Sequence, residues 1–198
     1  MASTTGDPVI EALAVLAADA AGCTRCPLAA TRTTVVFGEG DPHAGMMVVG
    51  EGPGREEDLQ GRPFVGRSGQ LLDRLLAEEA GLRREQVYIA NVVKCRPPGN
   101  RDPEPAEIEA CGSYLAGQVA QIRPRVVLTL GNFSTRTLLA TKEGITKLRG
   151  RPHPWGPDGT VVLPTFHPAA ALRGGGEVLA RMRADFVRAK ELLAAAGL

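Results

Sequence analysis

The chain has 198 residues, 43% apolar and 23% charged, which is enough to bury a full core in one domain without staples. Its net charge of +1 excludes a strongly basic nucleic-acid binder, so any DNA contact must come from local patches. No run approaches the ~20 apolar residues of a membrane helix. Met1–Pro8 lacks the basic start and apolar core of a signal peptide, so a cytoplasmic protein without a membrane partner is expected.

Residues 1–7 are small and polar and are expected to be disordered, leaving residues 8–198 as the folded unit. From Pro8 to about Gly22, Ile10, Leu13, Leu16 and Ala17 recur at helical spacing, with Asp7 as cap and Pro8 in the first turn. Cys23-Thr-Arg-Cys26-Pro27 ends that helix, and Thr34-Val-Val-Phe37 reads as a short strand. Met46-Met-Val-Val-Gly50 is short enough for a buried strand and stops at Glu51-Gly-Pro-Gly54. Gly50, Gly52 and Gly54 let the backbone turn sharply and approach a ligand closely. The loop is not a dinucleotide fingerprint, because position 55 is Arg55, and no Gly-Lys-Ser/Thr follows to make a Walker A loop.

A helix is predicted from Ser68 through Leu76 with a stop at Gly81, then a strand over residues 87–93 and a proline-rich loop over 94–105. Residues 107–122 read as a helix and 126–130 as a third strand, after which Asn132 can cap a helix to about Ala140. Residues 142–160 form a basic connection broken by Gly and Pro. Residues 161–165 are a fourth strand in which Pro164 suggests an edge or terminal position, and a final helix covers about 177–196. Strand–helix alternation with nearly unbroken apolar strands predicts an α/β fold with a parallel sheet covered on both faces.

Cys23, Cys26, Cys95 and Cys111 are the only cysteines, the first two at C-x-x-C spacing. In a reducing compartment, four soft ligands with none spare suit one metal centre better than disulfides. Zinc and an iron–sulfur cluster both accept four thiolates, and spacing does not separate them. Either would tie the N-terminal helix to the middle of the chain, a structural role. Cys111, at a core-facing helix position, also suits an ordinary buried thiol.

Other chemistry gathers at strand ends. Asn91 lies in an apolar β run, flanked by Val92 and Val93, and its amide offers one acceptor and two donors to a ligand edge, or to a neighbouring turn. His167 precedes Pro168 at a helix start, whereas His43 and His153 lie in loops without such context. Phe64 is a stacking platform or core. Together Glu51, Phe64, Asn91 and His167 supply what a flat heterocycle needs.

With Gly50-Glu-Gly-Pro-Gly, Glu57-Asp58, Pro63-Phe-Val-Gly, Asn91-Val-Val-Lys-Cys-Arg-Pro-Pro, Asn100-Arg-Asp-Pro, Leu148-Arg-Gly and His167-Pro-Ala, the chain resembles the family 4 uracil-DNA glycosylases over about residues 20–190. The resemblance implies a three-layer α/β/α sandwich around a four-stranded parallel sheet, as a single domain. It implies a 4Fe-4S cluster on the four cysteines and hydrolytic release of uracil from single- or double-stranded DNA, by a monomer. His167 would face the uracil carbonyl between N1 and N3, Asn91 would read N3–H and the other carbonyl, and Phe64 would stack on the flipped base.

Family 1 enzymes carry an Asp at the position of Gly52, so the water falls to Glu51, Glu57 or the Gly52 backbone. Gly54 stands where family 1 has a thymine-excluding tyrosine, which makes Glu57 the candidate methyl filter. Expected DNA contacts are Lys94, Arg96 and Arg101 in one set and Lys142, Lys147, Arg149 and Arg151 in another. Leu172 and Arg173 are candidates to wedge into the gap left by the flipped base. No lysine stands out as a Schiff-base nucleophile, so strand cleavage is not expected. The rival readings are a base- or nucleic-acid-binding module without turnover, and a metal-dependent phosphohydrolase on Glu51, Glu57 and Asp58.

Overall fold

The computed structural model describes residues 6–156 and 158–198. Helix α1 (Pro8–Ala21) opens the fold, capped by Asp7, whose Oδ1 accepts from Val9 N at 2.9 Å. Of the stretch 1–7 expected to be disordered, residues 1–5 lie outside the described residues. Strand β1 (Glu39–Gly40) is followed by β2 (Met46–Gly50), α2 (Arg55–Gln60), α3 (Arg67–Leu75) and β3 (Tyr88–Asn91). Then come α4 (Pro105–Ile122), β4 (Val126–Leu130), α5 (Asn132–Leu139), α6 (Ile145–Leu148) and β5 (His153–Pro154). Strand β6 (Val161–Thr165), α7 (Pro168–Gly174) and α8 (Gly176–Ala195) complete the chain.

The sheet has six strands in the order β1-β3-β2-β4-β6-β5. The four central strands are the predicted parallel set, and β1 and β5 add a two-residue antiparallel strand at each edge. Side chains alternate between faces as the pleat requires. Met46, Val48, Ile89, Val126, Leu128 and Leu163 join α3 and α8 in one core, while Met47, Val49, Tyr88, Val127 and Val162 join α1 and α4 in the other. Each fully buried Val or Leu contributes roughly 1.5–3 kcal/mol. A layer of helices thus covers each face. Among the described residues no helix is long and apolar enough to cross a membrane.

Several local expectations are corrected. Residues 34–37 are not a strand; the chain pairs only at Glu39 and Gly40. Asn132 is the first residue of α5 rather than its cap, because Gly131 takes the cap position at φ +91° and Asn132 Oδ1 accepts from Ile145 N at 2.8 Å. Strand β6 is second from the edge, yet β5 reaches only Val161 and Val162, so no strand pairs with Pro164 on that side. His153, expected in a loop, lies in β5.

Chain order fixes where a site forms. From β2 the chain crosses to β3 on one side and later to β4 on the other, so the sheet order reverses between β2 and β4. A crevice opens outside the carboxyl ends of strands at such a reversal.

Candidate active site

A cleft of about 650 Å³ lies at the carboxyl ends of β2, β3 and β6 and is bordered by Glu51, Gly52, Glu57, Phe64, Asn91 and His167. These come from the end of β3 and from the segments that follow β2 and β6, so the structure brings together every predicted catalytic and base-reading residue. Asn91 ends β3 opposite Gly50 and is 2% exposed. Its Oδ1 is the only buried side-chain polar atom without a hydrogen-bond partner among the described residues. A buried unpaired acceptor costs on the order of 1–3 kcal/mol, so this one is held ready for a donor in the cleft.

Gly50 makes the space. A Cβ there would lie 2.4 Å from Asn91 Oδ1 and 2.6 Å from Phe64 Cζ. Phe64 itself adopts φ +52°, a conformation rare for bulky residues that costs of order 1–3 kcal/mol. Its ring centroid is 5.9 Å from that of His167, tilted by 33°.

His167 caps α7, and its Nδ1 accepts from Ala169 N at 3.1 Å. That bond leaves Nε2 to carry the ring proton. Burial, helped by the charge of Arg173 and opposed by that of Glu57, pulls the imidazole down to about 4, so the ring is neutral near pH 7. Gly131 sits close behind, where a Cβ would come within 3.1 Å of His167 Cβ.

The carboxylates part company. Glu57 Oε1 accepts from Val65 N and Gly66 N at 3.0 and 3.1 Å, anchoring the start of α3. Its Oε2 lies 2.7 Å from where a Cβ on Gly54 would be. Burial, then the negative charge of Asp102, pushes Glu51 up to about 7. Gly52 has no room for a side chain, since its Cβ would fall 2.8 Å from Val93 Cγ2. Asp58 is 2% exposed and accepts from Thr33 N at 2.9 Å, so it turns away from the cleft.

Two expected DNA contacts are overturned. Lys94 is 1% exposed, and its ammonium donates to Asn91 O at 2.9 Å and Gln118 Oε1 at 2.6 Å, out of reach of any phosphate. Burial pulls it down to about 7. Arg149 is committed to Asp185, donating from Nε at 3.0 Å and Nη2 at 2.5 Å, with its guanidinium 5.4 Å from the Phe166 ring centroid. Asp185 also accepts from Thr165 Oγ1 at 2.6 Å, so this pair braces the strand end that carries His167. Arg101 is held by Glu107 at 2.7 and 2.9 Å but still borders the cleft, as does Arg173. Arg96 bonds Asn100, and Leu172 is 43% exposed.

All four cysteines border one recess, together with Arg25, Arg32 and Lys94. Arg25 Nε and Arg32 Nη1 donate to the sulfurs of Cys23 and Cys95 at 3.4 and 3.5 Å, and Lys94 N donates to that of Cys111 at 3.3 Å. Two guanidinium groups and a backbone N–H aimed at these sulfurs suit a group that gathers negative charge. Among the described residues no three His, Cys, Asp or Glu converge closely enough for one ion.

Sequence comparison agrees with this geometry. The family model for the uracil DNA glycosylase superfamily matches residues 37–193. The chain is 50% identical to a type-4 uracil-DNA glycosylase of Thermotoga maritima over 173 residues, 86% of this chain and 89% of that protein. It is 44% identical to a type-4 enzyme of Saccharolobus solfataricus over 190 residues, 93% and 88% of the two chains. A type-5 enzyme of Pyrobaculum aerophilum is 29% identical over 196 residues, 84% of this chain and 86% of that protein. A fold that ends three parallel strands in one cleft, and likeness of this extent, place the chain in the uracil-DNA glycosylase superfamily, in its type-4 branch.

Proposed function

We propose that the protein is a monofunctional uracil-DNA glycosylase that hydrolyses the N-glycosidic bond of uracil in DNA and leaves an abasic site for base excision repair. The observation that carries this reading is the unpartnered Oδ1 of Asn91, buried beside the Phe64 ring. Uracil offers N3–H to that oxygen and a carbonyl to the amide NH2. Cytosine presents the opposite pattern and would leave the buried groups unpaired, a strong basis for rejection.

Cleavage builds negative charge on the departing base and positive charge on the sugar. Nε2–H of neutral His167 donates to the carbonyl where the negative charge develops, and one such donor is worth about 3–4 kcal/mol. Glu51 has no hydrogen bond among the causes that raise it, and the Glu57 carboxylate is already taken up by Val65 N and Gly66 N. Ionised, it holds the attacking water or faces the sugar cation. Glu57 fills the space beside Gly54 and serves as the methyl filter. Arg96, Arg101, Arg173, Lys142, Lys147 and Arg151 are the proposed DNA contacts, with Leu172 as the wedge. The protein acts on single- or double-stranded DNA as a monomer.

The cysteine recess is assigned to a 4Fe-4S cluster. A tetrahedral zinc ion draws its ligands onto one point, whereas four thiols around a shared recess suit a larger polynuclear group. The cluster's contribution is to staple α1 to α4 and the loop after β3. Brown protein with broad visible absorption supports it, and colourless protein with stoichiometric zinc overturns it.

The deciding experiment incubates uracil-containing single strands, U·G and U·A duplexes with the protein, with and without alkali. Free uracil, with strand breaks only after alkali, is expected. Breaks without alkali reject the monofunctional assignment, and binding without uracil release favours a non-catalytic module. Loss of activity in excess chelator for labile divalent ions would favour a phosphohydrolase.

A further inference from the structure

Arg84 precedes β3, and its side chain is only 13% exposed. It is not part of the cleft wall. Nη1 donates to Phe64 O at 3.2 Å, and Nη2 donates to Pro63 O. The same guanidinium is paired with Asp73 Oδ1 at 3.0 Å and Glu39 Oε1 at 2.9 Å. Glu39 belongs to β1, and Asp73 to α3. Adjacent carbonyls point to one side only when the second residue leaves the extended conformation, and Phe64 does so at φ +52°. The other side of the Phe64 carbonyl is closed by Gly69 in α3, where an added Cβ would lie 1.7 Å from Phe64 O. A bulky residue keeps such a conformation only when its surroundings over-determine it.

We propose that Arg84 is the positioning residue for base stacking, locking Pro63 and Phe64 in the left-handed turn that presents the Phe64 ring to the flipped base. This rests on Phe64 being the stacking ring of the proposed uracil site. Charge alone does not explain the arrangement. Asp73 and Glu39 neutralise the guanidinium, while Nη1 and Nη2 each give one N–H to the carbonyls that set the ring's direction. A lysine could keep the ion pairs but would not bridge both carbonyls in one plane.

The test is a double-mutant cycle on the cluster-loaded protein, read as inhibition of single-turnover uracil excision by free uracil. Phe64→Ala is expected to weaken uracil binding about tenfold, the usual scale of base–aromatic stacking. Arg84→Met should weaken it to a similar extent, while Arg84→Met in the Phe64→Ala background should add nothing. Full multiplication of the two losses would show that Arg84 acts elsewhere, as would wild-type uracil inhibition of Arg84→Met. Unchanged uracil binding by Phe64→Ala would instead remove the stacking role, and the clamp with it. If Arg84→Met does not fold, Arg84→Lys replaces it, since an ammonium can keep the ion pairs but cannot bridge both carbonyls in one plane. Normal uracil inhibition by Arg84→Lys would then overturn the proposal.

Discussion

Gly50 and Asn91 face each other across the last register pair of β2 and β3, and a single Cβ on Gly50 would fall 2.4 Å from the Asn91 Oδ1. The glycine is therefore required by what stands opposite it. Gly50→Ala is expected to displace both the reader amide and the Phe64 ring. Misplacement of this kind costs about 10²-fold in rate. Single-turnover excision checks this, with cluster absorbance as the control for folding, and an unimpaired rate would reject the role given to Asn91.

His167 works as a neutral donor because Ala169 N occupies its Nδ1. His167→Ala should lower the single-turnover rate about 10²–10³-fold, the cost of losing one oxyanion donor. Its acid limb should also differ from that of an ordinary histidine. Burial lowers the ring from 6.5 to about 4, so the group's contribution to stability is present above 6.5 and is lost as pH falls through that window. Titration of the ring by NMR tests this directly, and an imidazole protonating near 6.5 would contradict it.

Glu51 carries the opposite sign. Its carboxyl is raised from 4.5 to about 7 by burial and by Asp102. Over that window the folded state holds the proton more tightly than the unfolded chain, so this group's contribution to stability falls as pH rises. Activity that needs the ionised form rises over the same range. The rate against pH should show an acid limb near 7 that moves to lower pH in Asp102→Asn and disappears in Glu51→Gln. A limb unmoved by either variant removes Glu51 from the chemistry.

The corrected set of DNA contacts is separable by salt. Each phosphate contact contributes ~0.9 to the slope of log K against log salt on duplex DNA, and ~0.7 on single strands. Arg96→Ala and Arg173→Ala should each reduce the slope by about one contact. Lys94→Gln should leave the slope unchanged, because the native ammonium is sealed against Asn91 O and Gln118. A reduced slope in Lys94→Gln would mean that the lysine reaches DNA after all.

The four parallel strands were legible as short apolar runs, although the second was read through to Val93 and β3 ends at Asn91. The two edge strands were not, since two residues are too few to show any alternation. Helix α2 was missed for a related reason. Arg55-Glu-Glu-Asp-Leu-Gln60 has no apolar stripe, and it reads as an acidic loop until Glu57 and Asp58 are seen capping neighbouring amides. Lys94 and Arg149 look like phosphate contacts because a cation in a loop is usually solvated. Their partners Gln118 and Asp185 lie 24 and 36 residues away, a separation that no local pattern reveals. The left-handed turn at Phe64 was equally hidden, since Pro-Phe-Val-Gly carries no local signal for a positive φ at Phe64.

The two-residue strands that escaped sequence reading settle how the sheet meets other molecules. An open parallel sheet presents a row of unpaired N–H and C=O groups along each margin, a template on which a second chain can nucleate a ladder. Here β1 and β5 run antiparallel across those margins and shorten the free template on each side. A second copy of the chain thereby meets little free backbone to zip onto. The margin strands protect colloidal behaviour, while the chemistry stays at the strand ends, at right angles to them.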